Sequence, residues 1–164
     1  MEIIKNIFSL NFCENLVSSF DTIPPGPHYK LGWDVRSIYG DVTINNNGNS
    51  INEVGDNPLL FKLIQEHLPI KLKRDIIWMQ MTRYQAGAYL SEHIDSYANE
   101  TLTVVLSDNF KGGITYIDSK PLNLGIGDAV YFTGSRLKHK ITSVEEGTRY
   151  ALNIWFKPQT SGLI

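Results

Sequence analysis

The chain has one cysteine, Cys13, in 164 residues, so no internal disulfide can staple it and a reducing compartment is expected. No run approaches the ~20 consecutive apolar residues of a membrane span. The start, MEIIKNIFSL, has no apolar stretch ahead of a small-residue cleavage site. A cytoplasmic protein without a membrane partner is therefore expected, and the sequon Asn99-Glu100-Thr101 reads as a chance match. Charge of one sign is lacking too: 15 Lys and Arg stand against 17 Asp and Glu, a formal net charge of -2. That balance gives no electrostatic footprint for nucleic acid or an anionic surface.

What is present is enough apolar residue, 42% of the chain, for one domain with its own core. FSLNFCENLVSSF has helical apolar spacing, with Ser9 or Asn11 as N-cap. NPLLFKLIQEHLP predicts a second helix, capped by Asn57 with Pro58 at its first position. Between them, from Asp21 to Asp56, IPPGP and NNNGNS punctuate what reads as loop with one or two strands around DVTI. Beyond residue 72, short runs rich in Val, Ile, Thr, Tyr and Trp recur between turn residues: DIIWMQMTRY, TLTVVLS, GITYID, DAVYFT, HKITSV and RYALNIWF. The expectation is a mainly β (α+β) domain spanning 1–164, in which 1–72 supply supporting helices and loop and 73–157 form a barrel or double sheet.

The chemistry concentrates in RYQAGAYLSEHIDSY, where His93 and Asp95 stand two apart. In an extended strand, residues i and i+2 share a face, so both can aim at one point. Two histidines and a carboxylate on one face of an octahedron hold a divalent metal and leave positions open. Of the chain's four histidines, His139 lies between two strand-like runs that can neighbour the first; His28 and His67 are weaker candidates. Ten residues on, RYALNIWF sends Arg149, Ala151, Asn153 and Trp155 to one face and Tyr150, Leu152, Ile154 and Phe156 to the other. An inward arginine needs an anion, supplied either by a ligand or by Asp128 within the protein.

The set RYQAGAYLSEHID, LSDNFKGGITYI, LGIGDAVYF and LKHKITSVEEGTRYALNIWF resembles the 2-oxoglutarate- and Fe(II)-dependent oxygenases, in particular their prolyl 4-hydroxylase-like branch, over about residues 73–157. The resemblance implies a double-stranded β-helix, or jelly roll, with the N-terminal helices supporting one sheet. It implies His93, Asp95 and His139 as iron ligands, and Arg149, with Tyr84, as the residues that hold 2-oxoglutarate. Thr101 or Thr103 stands in for a second tyrosine contact, the turn glycine falls on Gly87, and Trp155 matches a pocket aromatic. The cofactors implied are Fe(II), 2-oxoglutarate and O2, with ascorbate in support. The activity implied is oxidative decarboxylation of 2-oxoglutarate to succinate coupled to hydroxylation of an unactivated C–H. The acceptor that the resemblance favours is a prolyl residue in a peptide or protein, with a free amino acid or other small metabolite as the alternative.

Acceptor contacts are expected from Arg83, Tyr97, Arg136 and Asn153, the polar or aromatic residues nearest the motifs, and from Trp33, Arg36 and Tyr39, on a 30–50 loop that can close as a lid. Trp78, Tyr116 and Tyr131 read as core aromatics. A nucleic-acid demethylase of the same superfamily would carry a second arginine where Trp155 stands, so no nucleic-acid partner is expected. A cupin-type metal protein without 2-oxoglutarate chemistry would leave Arg149 and Tyr84 without a partner, and a silent binding module would have no reason to keep the ligand set. The partner expected is a peptide or small molecule, for a monomer or homodimer.

Overall fold

The computed structural model describes residues 1–27, 32–46 and 48–157. Its elements in chain order are β1 (Glu2–Ile4), α1 (Leu10–Ser19), β2 (Trp33–Asn46), β3 (Asn49–Asp56), α2 (Pro58–His67), β4 (Ile76–Tyr84), β5 (Leu90–His93), β6 (Glu100–Val105), β7 (Phe110–Gly112), β8 (Thr115–Ile117), β9 (Lys120–Pro121), β10 (Ala129–Phe132), β11 (His139–Ile141), β12 (Val144–Gly147) and β13 (Arg149–Phe156).

Both helices begin where the caps predict. The Ser9 hydroxyl accepts from the Phe12 amide at 3.1 Å, and Asn57 Oδ1 accepts from the Leu60 amide at 3.2 Å, with Pro58 in the first turn. The strands form a seven-stranded sheet ordered β1-β10-β6-β13-β4-β2-β3, a four-stranded sheet ordered β5-β11-β8-β9, and the pair β12-β7. Ile117 of β8 packs with Val130 and Phe132 of β10, joining the two larger sheets into a jelly roll. The helices cover the outer face of the large sheet, where Phe8, Phe12, Leu16 and Phe20 meet Met79, Met81, Leu152 and Ile154. Each such buried side chain contributes about 1.5–3 kcal/mol.

Where loop with one or two strands around DVTI is expected, and a 30–50 lid, the strands Trp33–Asn46 and Asn49–Asp56 form a long hairpin. β2 pairs with β4 from Trp33 to Tyr39 and with β3 from Tyr39 to Asn46, which faces Asn49. Two features hide this strand from a period-2 reading. The register slips between Ser37 and Tyr39, and Gly40 lies at φ +111° packed against the Ile77 carbonyl and Trp78 Cα, where no side chain fits.

Candidate active site

Strand alternation turns one side chain in two of the large sheet toward the interior, and the register stacks these into rows. One row holds Trp78, Trp155 and Thr101; the next holds Ser37, Gln80, Asn153 and Thr103. A third, of small residues, holds Val35, Thr82, Ala151 and Val105, and the last holds Trp33, Tyr84 and Arg149. The inward set read from RYALNIWF is the one observed.

At the level of the tryptophan row, His93 of β5 lies directly opposite His139 of β11, and Asp95 follows just past the end of β5. One ligand atom from each of these three residues lies within 4.8 Å of the others. Nδ1 of His93 meets the Ser91 carbonyl at 2.8 Å, and Nδ1 of His139 meets the Leu137 carbonyl at 2.8 Å. A carbonyl oxygen only accepts, so each Nδ1 carries the proton and each Nε2 is turned toward Asp95. The Nε2 atoms stand 3.3 and 3.2 Å from the carboxylate oxygens. Lone pairs and a carboxylate that close repel unless a cation lies among them, either a metal or protons on the rings. Burial alone would raise the Asp95 carboxyl, but hydrogen bonds to His139, His93 and Thr101 and the charge of His139 hold it well below the ordinary carboxylate range. The donor set of two imidazoles and one carboxylate fits Fe(II).

The other end of the interior is cationic. Arg149 is 1% exposed; Nη2 donates to Thr115 Oγ1 at 3.1 Å, while Nε and Nη1 are buried without a partner. Asp128 does not supply one, being engaged by Lys5 Nζ at 3.0 Å and by the amides of Asn6 and Gly125. Burial lowers the pKa of Arg149, partly offset by the Tyr84 hydroxyl; burial raises the Tyr84 phenol well above its usual range. An anionic ligand is what this guanidinium lacks. The small Thr82, Ala151 and Val105 row leaves a slender dicarboxylate room to reach it from the metal ligands. A further cavity of about 240 Å³ borders Arg149 and Thr115.

Beside the triad is a cavity of about 310 Å³ that includes Trp33, Thr43, Gln80, Tyr97 and Trp155 in its walls. Trp78, expected in the core, also lines it, stacked on Trp155 at 4.2 Å. Asn153 is inside but occupied, its Oδ1 accepting from Thr103 at 3.0 Å. Thr101 and Trp155 both point at Asp95 rather than along the path to Arg149.

Four expected acceptor contacts, Arg83, Arg36, Tyr39 and Arg136, lie elsewhere. Arg83 and Arg36 project from the helix side of the large sheet, with guanidinium carbons 4.5 and 4.8 Å from the Phe20 ring centre. Arg83 pairs with Asp21 and Asp34, and Arg36 with Asp34 and the Ile23 carbonyl. Tyr39 stacks on Phe61 of α2 at 4.1 Å. The reason is parity: Tyr84 faces in, so Arg83 beside it must face out. Arg136 is exposed and borders a separate surface cavity with Arg74 and Lys157. Among the weaker metal candidates, His67 stacks on Phe12 between the helices, and His28 lies outside the described residues. Arg83→Ala is accordingly expected to cost about 1 kcal/mol, roughly 2–4 °C of thermal midpoint, with 2-oxoglutarate affinity unchanged. Scanning calorimetry and ligand titration check both, and a lost affinity would return Arg83 to the site.

Sequence reasoning missed Thr115, Gln80 and Gly134. The Gly134 carbonyl accepts from the Asp95 amide at 2.8 Å, and a Cβ there would stand 2.6 Å from Asp95 Oδ2. Only FTGSR, a glycine shortly before a histidine, hinted at this close approach.

A jelly roll that gathers two imidazoles and a carboxylate at one end and a buried, half-satisfied arginine at the other has the form of a non-haem metal oxygenase. Residues 79–157 match the sequence family described as the 2OG-Fe(II) oxygenase superfamily. Among solved structures, the chain is similar to a 2OG-Fe(II) oxygenase family oxidoreductase from Burkholderia pseudomallei, at TM-score 0.69 and 13% identity over 94% of this chain and 82% of that one. It is similar to the viral collagen prolyl hydroxylase of Paramecium Bursaria Chlorella virus-1, solved as a 2OG complex, at TM-score 0.60 and 17% identity over 96% of both chains. It also resembles HygX from Streptomyces hygroscopicus, solved with nickel and 2-oxoglutarate bound, at TM-score 0.67 and 12% identity over 96% of this chain and 82% of that one. Comparison with curated protein sequences gives no match. Residues 79–157 thus carry the match to the 2OG-Fe(II) oxygenase superfamily, whose members use Fe(II) and 2-oxoglutarate with O2.

Proposed function

We propose that this chain hydroxylates an uncharged acceptor, a prolyl residue within a peptide, with Fe(II) held by His93, Asp95 and His139 and 2-oxoglutarate anchored by Arg149. The observation that carries the acceptor class is the cavity beside the triad, whose described walls include no lysine, arginine, aspartate or glutamate. A free amino acid would bring an ammonium and a carboxylate into that space without counter-charges, a costly desolvation. A residue inside a peptide brings neither. The Trp78 and Trp155 faces, with Tyr97 at 5.7 and 5.9 Å from them, suit a compact apolar ring. The likeness of fold to a structure named as a collagen prolyl hydroxylase supports the same reading.

When bound, the metal and cosubstrate would supply the oxidation, in which 2-oxoglutarate, O2 and the acceptor C–H become succinate, CO2 and the hydroxylated acceptor. The protein's own part is placement. The two backbone carbonyls hold the imidazole tautomers, Arg149 offers Nε–H and Nη1–H to the remote carboxylate with Tyr84 beside it, and the tryptophan pair keeps water from the reacting carbon. Incubation with a proline-rich peptide and with free proline, read by mass for one added oxygen, tests the acceptor class. Oxidation of the peptide alone is expected; oxidation of free proline alone would overturn it. Trp33→Ala is expected to impair peptide oxidation while leaving succinate formed without peptide nearly intact, because Trp33 lines the cavity and is not one of the three residues that would hold the metal. Equal loss of both activities would make Trp33 a packing residue.

A further inference from the structure

We propose that Trp155 and Thr101 are positioning residues that saturate Oδ2 of Asp95, so that the carboxylate offers a metal only Oδ1 and remains a single-oxygen ligand. The inference rests on the metal-binding role given above to His93, Asp95 and His139.

A carboxylate oxygen has two lone-pair directions. On Oδ2 of Asp95 both are claimed by protein donors, the Thr101 hydroxyl at 2.7 Å and the Trp155 indole N–H at 3.1 Å. Each oxygen also faces one imidazole Nε2, His93 at 3.3 Å from Oδ1 and His139 at 3.2 Å from Oδ2, but the hydroxyl nearest Oδ1, that of Tyr97 at 3.5 Å, is too long to compete strongly with a metal. The two donors are paired residues on adjacent strands, so β6 and β13 deliver them at the same level of the interior. Neither is free to swing away. Trp155 is stacked on Trp78 at 4.2 Å and 18°, and the Trp78 indole donates to Ser37 Oγ at 3.0 Å, on the hairpin strand β2. Gly134 closes the remaining side, since any side chain there would displace Oδ2. Asp95 is 1% exposed and Trp155 6%, so water does not replace these donors cheaply.

The consequence is a count of positions. Two imidazoles and one oxygen occupy three octahedral positions and leave three, enough for a chelating 2-oxo acid and one more small ligand. A carboxylate turned to bind through both oxygens would take a fourth position and leave room for the 2-oxo acid alone. Trp155 also lines the acceptor cavity, so the indole that floors this cavity is the one that holds the metal's carboxylate.

The test uses Mn(II) as the probe, titrated through the water-proton relaxation it causes, which reports affinity and the number of waters on the bound ion without turnover. Trp155→Phe keeps a ring and loses the N–H; Thr101→Val keeps the shape and loses the hydroxyl; Thr101→Ser keeps the hydroxyl. The first two are expected to bind Mn(II) roughly 10–100-fold more weakly. Relaxation per bound ion should fall to about two-thirds of wild type, as three waters become two. Thr101→Ser should stay near wild type. Folding is checked by thermal melting, and if Trp155→Phe does not fold, Thr101→Val carries the same test. Unchanged per-ion relaxation in the folded variants, or Thr101→Ser as impaired as Thr101→Val, overturns the proposal. Failure of the wild-type protein to bind Mn(II) at all would instead count against the metal site.

Discussion

Alanine in place of His93, Asp95 or His139 is expected to abolish Fe(II)-dependent succinate formation and to weaken metal binding by more than about 100-fold. Loss of a mere outer partner of a metal ligand costs roughly 10–100-fold, and each of these changes removes a ligand atom itself. The donors are few and converge within 4.8 Å, and among the described residues no other group of three His, Cys, Asp or Glu side chains does so. The three variants should differ in stability. Asp95→Ala strands the buried Thr101 hydroxyl and Trp155 indole N–H without an acceptor, at about 1–3 kcal/mol, whereas His93, half-buried on β5, leaves less behind. Asp95→Ala should therefore melt lowest even without metal. Metal titration, succinate assay and calorimetry on the same preparations check both halves, and full succinate formation at saturating iron in any one variant would remove that residue from the metal site.

The parts of this site that the sequence made legible are those governed by a local period. RYALNIWF read correctly because β13 is a regular eight-residue strand whose inner and outer faces alternate without a bulge across residues 149–155. The same rule, carried to β4, would have excluded Arg83 once Tyr84 was placed inside. What the sequence could not show is where one register shift and a positively angled glycine bent the strand β2, so that Trp33 reaches the cavity while Arg36 and Tyr39, three and six residues on, face the helices. Nor does any pattern along the chain announce that Thr101 and Trp155 meet at Asp95. That convergence needs the pairing of β6 with β13 and a loop that brings Gly134 against the carboxylate, contacts that span up to 60 residues. Asp128 shows the converse. It was a sensible partner for Arg149 by chemistry, and only its engagement by Lys5 and two backbone amides leaves the guanidinium for a ligand.

Arg149→Met is expected to raise the dissociation constant for 2-oxoglutarate by roughly 30-fold to several thousand-fold, because truncating one side of a buried charged pair costs about 2–5 kcal/mol. Metal binding should persist, since Arg149 lies on the row farthest from that of Trp155, which meets Asp95. Tyr84→Phe should shift affinity the same way by less, and Arg149→Lys should fall between, keeping the charge but losing the planar fork. A second readout separates ligand binding from architecture. Without cosubstrate, Arg149 is a buried cation with two nitrogens that have no partner and only the Thr115 hydroxyl for the third. Replacing such a charge by a methionine of similar length removes an unpaid desolvation, so the ligand-free variant should melt at or above the wild-type temperature. With 2-oxoglutarate at about 100 times its dissociation constant, wild type should gain about 2.7 kcal/mol, roughly 5–10 °C at this chain length, and Arg149→Met almost none at the same concentration. Calorimetric titration with Mn(II) present and melting with and without 2-oxoglutarate read the two effects. If Arg149→Met bound 2-oxoglutarate as tightly as wild type, or melted well below it in the absence of ligand, the arginine would be a structural residue and the anchor would have to be sought on another side chain.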